Sequence, residues 1–167
     1  PAELYAYNLI VLSIALEFEY QKYKIEYAEP VNEFIALIQE HIKNKGDIWQ
    51  IFFNIFKKAG YGNIKDIEVV TSILKIADRF LEFNTKVYRG TASKVESHYT
   101  FKKHPDLYFW GHTHSISHSP EPTFPEDYNA AFQVGKPLAT ISRNAIWLVM
   151  PDKKVYKVLS GEWWKLK

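Results

Sequence analysis

Apolar and polar positions change their period three times along this chain, and each change marks a different kind of element. From Ala2 to about Lys24, Leu4, Tyr7, Leu12, Ile14, Leu16 and Phe18 recur among good helix formers without Gly or Pro. That pattern predicts a helix, which Glu29-Pro30 would end. Val31 to Lys45 places Phe34, Ile35, Leu37, Ile38 and Ile42 on roughly one side, a second and amphipathic helix closed by Asn44-Lys45-Gly46. A third helix is predicted from Asp47, as its N-cap, to Lys58, with Ala59 to Asn63 as a loop. These apolar stripes read as packing surface.

Past the loop, Ile67, Val70, Ile73, Leu74 and Ala77 fall at helical spacing and predict a fourth helix over 64–79. From Leu81 to Tyr88 the period shortens: Leu81, Phe83 and Val87 alternate with Glu82, Asn84 and Lys86, as in a half-buried strand with Glu82 turned away from the apolar set. Gly90 to Ser93 turns the chain, and Lys94 to Phe101 alternates again as an antiparallel partner. Leu107-Tyr-Phe-Trp110 is a continuous apolar run, hence a buried strand, and it leads into Gly111-His-Thr-His114. A polar, Pro-rich loop follows to Pro122. Thr123-Phe-Pro-Glu126 then has capping-box spacing, opening a helix that Gly135-Lys-Pro137 stops. Leu138–Ser142, Ala145–Met150 and Lys154–Leu159 predict three short strands, and Glu162-Trp-Trp-Lys165 an aromatic edge on the sheet. The fold class expected is α+β, a mixed sheet with flanking helices, organised as an N-terminal helical region (1–62) and a second domain (63–167).

Composition narrows the partners. With 47% hydrophobic and 16% aromatic residues among 167, the chain buries a core and is not disordered. Lys+Arg 21 against Asp+Glu 19, with the lysines dispersed, gives no reason to expect nucleic acid. The absence of Cys removes disulfides and thiolate metal ligands. Leu9 to Leu16 is too short to span a bilayer and is followed by Glu17 and Glu19, and no basic region precedes it, so neither a membrane span nor a signal peptide is expected. A start at Pro1 suggests a piece of a longer polypeptide, cytoplasmic or delivered within a larger secreted protein.

The chemistry concentrates at the end of the buried strand. Side chains two apart on extended backbone point the same way, so His112 and His114 can share one metal ion, with Asp127 adding a harder ligand from the next element. Two His, one carboxylate and a water form a usual catalytic zinc set, in which the ion acidifies the water.

This order of elements and residues resembles the JAMM (MPN+, JAB) metallopeptidases, over roughly residues 64–160. In that family an upstream Glu precedes His-x-His-Pro and then Ser-x-x-Asp at the start of a helix. The bacterial JAB-like domains of effectors and toxins are the most similar, through Glu82-Phe83 and Gly135-Lys-Pro137. The resemblance implies that residues 63–167 form a JAMM/JAB-like metallohydrolase domain, with Zn²⁺ on His112, His114 and Asp127 and Glu82 as general base. It also implies a peptide or isopeptide bond in a protein or peptide substrate as the target. Ser115 stands where the family has Pro, and Phe124 where it has the Ser that stabilises the oxyanion. Thr123, Ser117 or Ser119 is the replacement available for that catalytic role. Taken singly, Glu82 is an ordinary strand residue, Asp127 a helix-dipole partner and Thr123 a cap. One alternative reading is a catalytically degenerate MPN-like module that binds a partner through Trp163-Trp164. A minor one is a metallophosphoesterase, which also uses Gly-His-Thr-His but needs upstream motifs that this chain lacks.

Overall fold

The computed structural model describes residues 1–22, 24–89 and 103–166. Among these are four α-helices, α1 (Ala2–Lys22), α2 (Glu33–Asn44), α3 (Asp47–Lys58) and α4 (Glu126–Val134). The strands are β1 (Glu26–Tyr27), β2 (Ile67–Ile76), β3 (Arg79–Arg89), β4 (Leu107–Thr113), β5 (Leu138–Ile141), β6 (Ala145–Val149) and β7 (Val155–Ser160). They form one seven-stranded sheet in the order β1-β7-β6-β5-β4-β2-β3. The α+β class expected from the sequence is the class observed.

All the pairings are antiparallel except β4 with β5, which run parallel. A parallel pair needs a crossover, and the segment that carries α4 supplies it. The core lies on both faces of the sheet. Ile35, Ile38 and Ile42 of α2 and Phe52, Ile55 and Phe56 of α3 pack with Val69, Ile73, Phe109, Ile146 and Trp163 on one side. Val70, Trp110, Leu138 and Val149 face Ala131 of α4 on the other. The first cluster crosses the boundary expected at residue 62, so α2 and α3 share one core with the sheet.

Several elements differ from expectation, each for a physical reason. Residues 67–76 are a strand, not a helix: Ile67, Val69, Val70, Thr71, Ile73 and Ile76 are β-branched, and Ile67 through Leu74 are all buried. A strand covered on both faces has no polar stripe, so its periodicity cannot identify it. Ala77, at a positive φ of 53°, helps turn the chain into β3. Asp47 is the first helical residue of α3 rather than its cap, which is Gly46. The Asp47 carboxylate instead takes a bidentate bond from Arg79 at 2.8 and 2.9 Å. At α4 the cap is Pro125 and no side-chain cap bond forms, so the Thr123/Glu126 capping box is absent. Trp163 is fully buried, its indole N–H donating to the Ser142 carbonyl at 2.8 Å, so only Trp164 of that pair remains partly open to a partner. The strand expected over 94–101 lies outside the described residues. Residues 1–16, expected to supply core packing, are all exposed. Among the described residues no helix is long and apolar enough to cross a membrane.

Candidate metal centre

The β4–α4–β5 crossover explains why ligand-type side chains from distant positions meet. β4 ends at Thr113, and the chain must return to the start of parallel β5 by way of a helix whose N-terminus sits over the end of β4. Gly111, beside the histidines, lacks a Cβ where Ile141 Cδ1 would stand 3.3 Å from it.

His112, His114 and Asp127 are all buried, and their ligand atoms lie within 4.8 Å of one another, a group that could hold a metal ion. The Nε2 atoms of the two histidines are 3.0 Å apart. Asp127 Oδ2 lies 3.3 Å from His112 Nε2 and 3.6 Å from His114 Nε2. Ligands about 2.0–2.1 Å from a tetrahedral ion stand roughly 3.3 Å from each other, so the spacing fits such an ion. The donor chemistry fits too. His114 Nδ1 is 2.8 Å from the Ser119 carbonyl, which can only accept. Nδ1 therefore donates there, which leaves Nε2 as the ring atom facing the group. Asp127 is held in turn by the Thr123 backbone N–H, which donates to Oδ2 at 2.7 Å.

The loop after His114 is tied down on the same side. Ile116 N–H donates to the Gly62 carbonyl at 2.8 Å, and the Ser115 and Ser117 hydroxyls are 2.6 Å apart. The ring of His118 lies 5.9 Å from that of His114. Burial, then the nearby His114 charge, lowers the His118 pKa against the opposing pull of Asp66.

Glu82 is not part of this group. It pairs with Ile73, which faces α2 and α3, and its carboxylate accepts from Asn54 of α3 at 2.7 Å and from the Thr85 hydroxyl at 2.8 Å. His112 instead pairs with Val70, on the α4 side of the sheet. The base expected from the sequence therefore sits on the opposite face. Thr123 is at the site, but through its backbone.

The carboxylate that does face the histidines is Glu68, inside the stretch taken for a helix. Antiparallel register sets Val70 opposite His112, and the Val69 N–H donates to the Thr113 hydroxyl at 3.0 Å. Two residues along β2 on the same face, Glu68 comes level with His114. It is only 4% exposed. Burial raises its pKa; the charges of His112 and His114 work against that rise, and Asp127 adds to it. Burial opposes the charge on His112, but Asp127, by its charge and hydrogen bond, and Glu68 behind it hold that pKa above the ordinary value. A lone carboxylate in the β-branched run Ile67-Glu-Val-Val-Thr71 was the available sequence signal.

Compared with protein-family models, curated proteins and solved structures, the chain shows no match.

Proposed function

We propose that this chain is a JAMM-like zinc hydrolase of a peptide or isopeptide bond, with His112, His114 and Asp127 as ligands and Glu68, not Glu82, as general base. The observation that carries the reading is a three-donor group at tetrahedral spacing with a separate buried carboxylate on the same face. A ligand set of this kind leaves a fourth position open, the arrangement of catalytic rather than structural zinc. Zinc, when bound, acidifies a water and polarises a carbonyl.

The other steps belong to side chains of the chain itself. Glu68 accepts a proton from the attacking water as its oxygen bonds to the scissile carbonyl carbon, and returns that proton to the amine as the C–N bond breaks. Burial raises its pKa, a direction that suits a carboxylate which must both take and give a proton. The products are a carboxylate and an amine. Ser119 and Thr123 hold His114 and Asp127 in place through backbone bonds. No hydroxyl is needed for that holding role.

Elemental analysis of the purified chain tests the reading. About one zinc per wild-type chain and none in His114→Ala is expected. Glu68→Gln should keep the metal and lose hydrolysis of peptide and isopeptide conjugates. A wild-type chain that takes up no metal when zinc is supplied, or hydrolysis indifferent to Glu68→Gln, refutes it.

A further inference from the structure

One polar ring turns inward from a loop that otherwise faces solvent. Of residues 116–121, His118 alone is not exposed. Its ring lies beside that of His114, and its Nε2 atom is buried without a hydrogen-bond partner among the described residues. Turned outward like Ser117 and Ser119, the ring would have had water as a partner. Buried polar atoms are nearly always partnered, and leaving one unpaired is costly, so an orphan of this kind marks where a further group binds. The inward turn is built into the backbone: the His118 N–H donates to the Ser115 carbonyl at 3.0 Å, and the Ile116 N–H ties the loop to Gly62.

The nearest groups do not supply the missing partner. His114 Nδ1 is engaged by the Ser119 carbonyl, and its Nε2 belongs to the ligand group. Nor is His118 a fourth ligand at the observed spacing, since the atoms within 4.8 Å of one another are those of His112, His114 and Asp127 among the described residues. A ring beside the ligand group but outside it suits a hydrogen-bond donor to the substrate in front of that group. The hydroxyls that the sequence offered for such a role are engaged elsewhere. Ser117 pairs with Ser115, Ser119 Oγ accepts from the Glu121 N–H at 3.4 Å, and Thr123 serves Asp127 through its backbone.

We propose that His118 is a further catalytic residue, whose Nε2–H donates to the oxygen of the scissile carbonyl as negative charge develops there. This rests on the hydrolase reading, and it fills the place left by Phe124. His118 transfers no proton. The C=O electron pair moves onto oxygen as the water oxygen bonds to carbon, and returns as the C–N bond breaks, while the imidazole keeps its hydrogen throughout. A donor already in place at that oxygen accelerates such a reaction by about 100- to 1,000-fold.

The test has a binding arm and a kinetic arm. Methylphosphonate, a tetrahedral oxyanion with no peptide bond to cleave, is titrated calorimetrically into the zinc-loaded chain. The wild type should bind it, and His118→Ala should bind it at least about 10-fold more weakly, as expected for loss of a hydrogen bond to a charged group. His118→Gln, whose amide N–H takes the place of Nε2, should stay close to the wild type. On a peptide conjugate, His118→Ala should lower kcat by about 100- to 1,000-fold with KM little changed. All three chains should hold their zinc. A His118→Ala chain that keeps its zinc and matches the wild type in either arm overturns the role of His118 and leaves the hydrolase standing; so does a zinc-loaded wild type that ignores methylphosphonate. Zinc lost with both substitutions would make His118 a ligand instead, and also overturns the proposal. A wild-type chain that binds no zinc overturns both readings.

Discussion

Asp127→Asn isolates the charge of the third ligand. The Thr123 N–H needs an acceptor at the position of Oδ2, 2.7 Å away, and an asparagine has one oxygen to offer it. The amide oxygen therefore stays between the two imidazoles, at the wild-type distances of 3.3 and 3.6 Å, and only the negative charge is lost. Ligand binding to the folded state stabilises it by RT ln(1 + [L]/Kd), so free zinc at 100 times Kd contributes about 2.7 kcal/mol. For a chain of this length each kcal/mol moves the melting midpoint by about 2–4 °C, so the wild type should gain about 5–11 °C. A 100-fold loss of affinity in the variant leaves about 0.4 kcal/mol, a rise of about 1–2 °C at the same zinc level. Thermal unfolding followed by circular dichroism, each protein compared with and without zinc, reads this directly and cancels any change in metal-free stability. A full wild-type rise in Asp127→Asn would remove Asp127 from the ligand set.

Three further outcomes follow from the same geometry. Glu82→Gln should leave hydrolysis and zinc content unchanged, because its carboxylate serves Asn54 and Thr85 on the far face; a loss as large as that of Glu68→Gln, measured on one conjugate, would contradict the assignment. In the metal-free chain Glu68 and His112 contribute stability that is lost as pH rises, while His41 and His118, with lowered folded pKa values, contribute in the opposite direction. Glu68 has a folded pKa above its ordinary 4.5 and His112 one above 6.5, so each binds its proton more tightly when folded, and that contribution, complete below the ordinary value, is lost as pH passes through the folded one. Urea unfolding from about pH 4.5 to 8 should show wild-type stability falling relative to that of Glu68→Gln as pH rises; a wild-type stability that rises relative to the variant would be the wrong sign. Trp163→Ala empties a fully buried site and orphans the Ser142 carbonyl, for about 3–5 kcal/mol in denaturant unfolding. Trp164→Ala, at a partly exposed ring, should cost well below that.

Much of the fold was legible because many of the elements present one face to the core. α2 and α3 show their apolar stripes, β5 to β7 their short runs between turn residues, and β4 its apolar run, all within a few residues of the observed bounds. The histidine pair was legible for a similar reason, since its period of two is a property of extended backbone. β2 carries no such one-faced pattern. Lying between β3 and β4 with both faces covered, it alternates nothing, and the β-branched content that marks it as a strand is outweighed when only spacing is read. α1 carried an apolar sequence that was taken for core packing, but burial depends on what lies opposite, and its first sixteen residues are exposed.

What the sequence by itself determined was the local part of the centre: His112 and His114 on one strand end, and Asp127 at the start of the helix that follows. Which acid joins them was decided by tertiary structure alone. Glu68 and Glu82 are both strand carboxylates, on adjacent antiparallel strands, and no local rule separates them. The register of β2 against β4 turns Glu68 towards the histidines, while the pairing of β3 with β2 turns Glu82 towards α3. Register is a relation between strands, and a one-residue slip exchanges the faces, so which carboxylate faces the histidines is settled only once the sheet is assembled.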